Sequence, residues 1–237
     1  MPRSYFISDL HLTPRRPRVT AAFSAFLEQN SDCDALYILG DLFDAWIGDD
    51  DDSALAQQIR ELLKSFTDGG PALYLMRGNR DFLLETRFCN AVGATLLDDP
   101  TTIEIGGQPT LLMHGDSLCI DDRDYQAFRQ TVQRRAWREE VLARSLADRR
   151  ELARELREMS GELKSNKTAD IMDASAAEVA RVMSEHRVKH LIHGHTHRPA
   201  RHEEPEGIRW VLGDWVDEAW VLETTDANFN LYKISIN

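Results

Sequence analysis

Cysteine is scarce in this chain: Cys33, Cys89 and Cys119 are odd in number, widely spaced and outside any CxxC arrangement. A disulfide framework is therefore not expected, and reduced thiols in a cytosolic protein are the simplest reading. Long apolar runs are also missing. No stretch of 18 consecutive apolar residues is present, and the N-terminus enters a strand-like segment with no signal peptide before it. These absences predict a cytoplasmic protein whose membrane contact is peripheral. Positive charge is in deficit as well: 28 Lys and Arg stand against 40 Asp and Glu, a net charge of -12. A general nucleic-acid binder usually carries a basic face, so no nucleic-acid partner is expected. Nothing calls for an obligate protein partner, and no internal repeat or low-complexity segment appears.

What is present is 237 residues, 42% hydrophobic and 29% charged, enough for one large core. The expectation is a single domain over residues 1–237 with an insertion. The charge is unevenly placed. Between Asp121 and Asp170 there are 12 Lys and Arg against 11 Asp and Glu, whereas the remainder has 16 against 29.

The chain is organised around Leu36-Tyr37-Ile38-Leu39-Gly40-Asp41, where an apolar run fit for a strand buried on both faces ends in a glycine and a carboxylate. The same event recurs. Tyr5-Phe6-Ile7 runs into Asp9 and His11, Leu73 to Met76 into Gly78-Asn79, Leu111 to Met113 into His114, and His190 to Ile192 into His193-Gly194-His195-Thr196-His197. Five strands that each end in Asp, Asn or His predict strand ends converging on metal ions.

Between these strands, helical spacing covers Val19–Leu27, a helix capped by Ser53 runs to about Phe66, and Asp81 is expected to cap a helix through about Val92. The resulting βαβαβα order implies a parallel sheet with helices outside. After Pro100, Thr102–Ile105 and Thr110–Met113 read as a hairpin around Gly106-Gly107. From about Asp124 to Leu163 the sequence is helical and rich in Arg, with Leu152, Leu156, Met159 and Leu163 on one stripe. Ser175 with Glu178 reads as a capping box. Segments 208–212, 220–224 and 231–236 read as strands of a second, more antiparallel sheet.

Asp9, His11, Asp41, Asn79, His114, His195 and His197 supply seven oxygen and nitrogen donors, too many for one tetrahedral site and suited to two ions. A shared carboxylate lets two cations sit about 3.5–4 Å apart, and a water between them loses a proton near neutral pH. Asp41 is the candidate bridge.

The set Asp9-x-His11, Gly40-Asp41, Gly78-Asn79, His114 and Gly194-His195-x-His197 resembles the calcineurin-type metallophosphoesterase superfamily. That resemblance implies a four-layer αββα sandwich with the metal pair at the strand ends. It implies one ion on Asp9, His11, Asp41 and His197, and the other on Asp41, Asn79, His114 and His195. The chain departs from the commonest pattern after Gly78-Asn79, where many members carry a histidine that protonates the leaving group and this chain carries Arg80. Arginine does not serve as that acid, although its planar fork suits a phosphate oxygen. The leaving group must then be good unaided, as a phosphate monoester with a second pKa of about 6 is. A pyrophosphate linkage fits.

The longer string Gly40–Asp50, with Gly78-Asn79-Arg80-Asp81-Phe82 and the helical insertion, resembles a narrower family, the UDP-2,3-diacylglucosamine diphosphatases of lipid A biosynthesis. This implies hydrolysis of a nucleotide-lipid to UMP and 2,3-diacylglucosamine 1-phosphate, usually with Mn2+, by attack of a metal-activated hydroxide. Asp41, Arg80 and His195 would be catalytic. The insertion, about residues 122–170, would be a lid over the acyl chains, with its arginines towards an anionic membrane surface on the cytoplasmic face of the inner membrane. The same resemblance implies substrate contacts at Asn79, Arg80, Asp122, Ser160, Lys164, Lys167 and His195. Two alternatives stay open: a soluble nucleotide pyrophosphatase or nuclease with the same metal site, and a non-enzymatic scaffold.

Other features have plainer readings. The acidic run Asp49–Asp52 reads as a solvated loop, His193 as a strand-end residue, Asp116 as a hydrogen-bond partner of a ligand histidine, and Arg15, Arg16 and Arg18 as a wet surface.

Overall fold

In the computed structural model, which describes residues 2–165 and 171–236, two sheets face each other across a shared core. The first holds β1 (Arg3–Ile7), β2 (Ala35–Leu39), β3 (Ala72–Met76) and β4 (Ala94–Leu97) in parallel, extended beyond β1 by β10 (Glu218–Thr225) and β11 (Asn228–Ser235) in antiparallel pairing. The second has the order β5 (Thr101–Ile105), β6 (Gln108–Met113), β7 (His190–His193), β9 (Gly207–Val211) and β8 (Ala200–Glu204). Its central β6, β7 and β9 are parallel, and β5 and β8 close hairpins at its edges.

Alternation along the strands decides which residues face which layer. Phe6, Leu39 and Met76 meet Leu112, Ile192, Trp210 and Leu212 between the sheets. The rings of Phe6, Tyr37 and Tyr74 stack along this inner face, with centroids 4.6 and 4.5 Å apart. The opposite faces carry the helices. Tyr5, Ile7, Leu36, Ile38, Leu73 and Leu75 pack on α1 (Pro17–Gln29), α2 (Ala54–Asp68) and α3 (Thr86–Ala91), whereas Leu111, Met113 and Leu191 pack on α7 (Ala176–His186). The order helix, sheet, sheet, helix is the expected αββα sandwich. Ser53 caps α2 as expected, its hydroxyl accepting from Ala56 N at 3.2 Å.

Four expectations are corrected. Segments 220–224 and 231–236 join the first sheet, because β10 pairs antiparallel with β1 and β11 with β10. Asp81 caps no helix: α3 starts at Thr86 after Glu85, and Asp81 is wholly buried. Ser175 precedes α7 without a side-chain cap, since Glu178 pairs with Arg181 instead. The acidic run is only half a solvated loop: Asp50 and Asp52 are exposed, whereas Asp49 and Asp51 turn inward. Asp49 accepts from Phe88 N at 2.7 Å and Trp46 Nε1 at 3.1 Å, Asp50 takes both Nη atoms of Arg149, Asp51 accepts from Ser53 N, and Asp52 pairs with Arg150.

The segment after Asp122 forms α4 (Arg123–Val132), α5 (Arg135–Leu142) and α6 (Leu146–Ser165). Arg149 fastens α6 to the body. It is almost fully buried and also donates to Ile47 O at 2.6 Å. Leu152 and Leu156 pack against the outer core, whereas Met159 is exposed and Leu163 lies where side chains are not described.

All three cysteines are buried and free. Burial pushes Cys33 up to about 11 and Cys89 and Cys119 up to about 12. A raised pKa leaves fewer thiolates, about one in a thousand or less at pH 8 for such values, and only the thiolate reacts. Thiol labelling with a disulfide reagent at pH 8 should therefore be slow in the native protein and reach three equivalents rapidly in denaturant; rapid native labelling would contradict this burial.

Candidate active site

The parallel strands deliver their C-terminal ends to one edge of the sandwich. β1 ends at Ser8-Asp9, β2 at Gly40-Asp41, β3 at Gly78-Asn79, β6 at His114 and β7 at Gly194-His195-Thr196-His197. Among the described residues, seven non-glycines have positive φ, and five of them are Asp9, His11, Asp41, His195 and His197. Asp and His are among the types that tolerate the left-handed region best, yet such backbone still carries strain and collects at functional sites. Two glycines allow the loops to close up: a Cβ on Gly78 would collide with the Asp41 carboxylate, and one on Gly194 with Ser8 and Asp9.

All seven expected donors come together here. Asp9 Oδ1 lies 3.3 Å from His197 Nε2, and that nitrogen lies 3.3 Å from His11 Nε2. Asn79 Oδ1 is 3.0 Å from His114 Nε2 and 2.9 Å from His195 Nδ1. Asp41 lies between the two sets, with Oδ2 3.7 Å from His11 Nδ1 and Oδ1 4.0 Å from His114 Nε2. Its two oxygens thus face opposite ends of the cluster.

Several bonds hold these side chains in place. Asp9 Oδ2 accepts from Ser8 Oγ at 2.5 Å and His195 N at 2.9 Å, Asp41 Oδ1 accepts from Arg80 N at 2.7 Å, and His114 Nδ1 faces Leu39 O at 2.9 Å. Asp81, read as a helix cap, instead ties the β2 and β3 loops together: it accepts from Gly78 N at 2.6 Å, Leu42 N at 2.8 Å and Asp41 N at 3.2 Å. Arg16, read as wet surface, donates to His11 O at 2.7 Å.

The donor set fits cations. Asp9 Oδ1 and His11 Nδ1 are buried without a hydrogen-bond partner, and donor atoms of Asp9, His11 and His197, and of Asp9, Asp41 and His114, lie within 4.8 Å of one another. The charges make the same point. Burial alone would raise Asp9, but His197 holds it well below the usual carboxylate range, whereas burial pushes Asp41 up to about 7. Burial opposes protonation of His114, but Asp41, Asp116 and Asp9 carry it up to about 9; Asp214 and Asp9 likewise overcome burial at His197, to about 10. Burial takes His11 and His195 down to about 3. Buried carboxylates here draw positive charge to themselves, which is the role a divalent ion fills.

A cavity of about 380 Å³ opens beside the cluster. Asn79, Arg80, His195 and His197 contribute polar lining, and Phe82, Leu83, Phe128, Leu152 and Leu156 apolar lining. Asp122 lines it too, while its carboxylate accepts from Tyr125 N at the start of α4. Ser160 and Lys164 fall in the part of α6 whose side chains are not described, and Lys167 lies outside the described residues. Arg157 reaches the cavity from α6 and pairs with Asp44.

Asp116 differs from expectation: its Oδ2 accepts from Tyr125 Oη at 2.5 Å and Arg129 Nε at 2.9 Å rather than from a ligand histidine. Tyr125 in turn stacks on His195, with centroids 5.7 Å apart. His193 stays outside the cluster, its Nδ1 2.9 Å from Gly194 O. Sequence reading missed Asp214, 3.3 Å from His197 Nδ1. Its signal was present, since Ile208–Leu212 runs into Gly213-Asp214 as Leu36–Leu39 runs into Gly40-Asp41.

Comparison with known proteins agrees with this architecture. Residues 2–199 match the model of the calcineurin-like phosphoesterase family, and the chain belongs to that family. A protein named UDP-2,3-diacylglucosamine hydrolase from Cellvibrio japonicus is 50% identical over 225 residues, covering 93% of this chain and 94% of that one. Proteins of the same name from Pseudomonas aeruginosa and Vibrio parahaemolyticus are 48% and 43% identical, covering 94% and 98% of this chain and 95% and 98% of theirs. Among solved structures, an archaeal phosphodiesterase (TM-score 0.52, 12% identity, 98% of this chain and 99% of that one) and a hypothetical protein from Pyrococcus horikoshii (0.53, 10%, 100% and 88%) share the fold.

Proposed function

We propose that this chain hydrolyses the pyrophosphate bond of UDP-2,3-diacylglucosamine, releasing UMP and 2,3-diacylglucosamine 1-phosphate, with two divalent ions, Mn2+ by preference. The observation that carries the reading is one cavity whose lining joins Asn79, His195 and His197 of the donor cluster and Arg80 with the aromatic and aliphatic side chains of Phe82, Phe128, Leu152 and Leu156. An amphipathic substrate with a phosphate centre needs both. The names of relatives 43–50% identical over nearly the whole chain support the same substrate.

Asp9, His11, Asp41 and His197 would hold one ion, and Asp41, Asn79, His114 and His195 the other. Divalent ions held there supply Lewis acidity, which polarises phosphoryl oxygens and makes water acidic near neutral pH. The protein positions the rest. Arg80 is fixed through both backbone groups, its N–H on Asp41 and its carbonyl accepting from Trp46 N at 3.2 Å, which aims the guanidinium along the cavity wall. Its fork is suited to charge developing on a phosphoryl oxygen, and a phosphate leaving group needs no acid. Arg80→Ala should lower kcat/KM for UMP release about 10²–10³-fold, the effect of removing one oxyanion donor. Arg80→Lys should recover little of it, because a point charge lacks the bidentate fork.

Helices α4–α6 would act as the lid, with Asp122, Ser160, Lys164 and Lys167 meeting the substrate. Among the described residues no helix is long and apolar enough to cross a membrane. We place the protein peripherally on the cytoplasmic face of the inner membrane, where such a lipid would be presented, with anionic headgroups drawing the arginines of the insertion. The deciding assay compares a UDP-diacyl sugar with soluble UDP-sugars at equal concentration. Strong preference for the acylated substrate is expected, and equal turnover would remove the lipid reading.

A further inference from the structure

Asp214 sits where a sixth strand end meets the donor cluster, and the chain around it is fixed on both sides. Leu212 N donates to His193 O at 2.7 Å, and Trp215 N donates to Asp9 O at 3.2 Å. The Trp215 ring is wholly buried, edge-on to Phe23 and Phe26 with centroids 6.0 and 5.7 Å away. From this platform Asp214 Oδ2 reaches to 3.3 Å from His197 Nδ1, while Nε2 of the same ring faces Asp9 and His11. A neutral imidazole offers an Nε2 lone pair to a cation only when its proton is on Nδ1, and an acceptor at Nδ1 selects that form and makes the ring more basic.

The other end of the cluster is built differently. His114 Nδ1 faces a neutral acceptor, the Leu39 carbonyl, and the side-chain oxygen there comes from uncharged Asn79. The first end thus has Asp9 as a donor and Asp214 directly behind His197, whereas Asp116, the further carboxylate near the His114 end, is taken up by Arg129. Asp41 is common to both.

We propose that Asp214 is a positioning residue that selects the Nδ1–H form of His197 and makes the Asp9–His11–His197 end the tighter of the two divalent-cation positions. The inference rests on the two-ion reading but not on the substrate. It is tested by calorimetric titration of metal-free protein with Mn2+ alone, for the unmodified chain, Asp214→Ala and Asp214→Asn, together with nitrogen NMR of the His197 Nδ1–H group in protein loaded with diamagnetic Zn2+. Two binding steps are expected for the unmodified chain. Asp214→Ala should weaken the tighter step about 10–100-fold, the usual cost of losing such a partner, leave the weaker step unchanged and move the Nδ1–H proton resonance upfield as its acceptor is lost. Asp214→Asn keeps the shape and an accepting oxygen, so it should retain most of the Nδ1–H shift and lose less affinity. If both steps stay within about twofold in Asp214→Ala, or fall together in both variants, the assignment is overturned. Fewer than two steps in the unmodified chain would instead overturn the two-ion reading.

Discussion

Asp41→Ala should lose both divalent ions together and with them roughly 10³-fold or more in kcat/KM, since metal Lewis acidity supplies several kcal/mol and each 1.4 kcal/mol is tenfold. The expectation follows from where its oxygens point, Oδ2 towards His11 and Oδ1 towards His114. His11→Ala is the control, because His11 belongs to one end only and should mainly weaken one ion. Metal content after dialysis, measured beside UMP release, separates the two variants. Equal retention of both ions in Asp41→Ala would refute the bridge.

Asp81→Ala should cost about 3 kcal/mol of stability although Asp81 is not among the proposed metal ligands. Its wholly buried carboxylate satisfies the backbone N–H groups of Asp41, Leu42 and Gly78, and each donor left unpaired in the interior costs about 1–3 kcal/mol. Part of that loss is offset, because burial already raises the Asp81 pKa and its removal ends the repulsion with Asp41. For a chain of this size the drop corresponds to a melting temperature lower by about 6–12 °C. Asp81→Asn retains an accepting oxygen and should fall between. Thermal unfolding of metal-free protein measures the effect without interference from bound ions, and an unchanged midpoint for Asp81→Ala would show that the loops do not need this tie.

β1, β2 and β3 of the first sheet, the β5–β6 hairpin and the donor cluster were legible in the sequence because they are announced locally, whereas the short β4 was not read. What escaped depends on partners far along the chain. Residues 218–225 alternate well enough to fit either sheet, and only their pairing with β1 decides between them. The acidic run Asp49–Asp52 looks wholly solvated until Phe88 N takes Asp49 and Arg149 takes Asp50 from far along the chain. Asp81 stands before a helical pattern as a cap would, but Gly78 and the β2 loop take its oxygens first. Asp214 carried the local signal and was overlooked because its strand belongs to the later, less regular half of the chain.

The left-handed turns at Asp9, His11, Asp41, His195 and His197 set stability against function at the level of single codons. Glycine adopts that backbone freely, whereas a side chain there costs of order 1 kcal/mol. Directed evolution for heat tolerance alone, run without metal or substrate, would drift towards glycine at His11, His195 and His197 and enrich robust but inert variants, whereas at Asp9 and Asp41 a glycine would also leave the N–H groups of His195 and Arg80 unpaired. The strained turns persist only where selection also demands the chemistry.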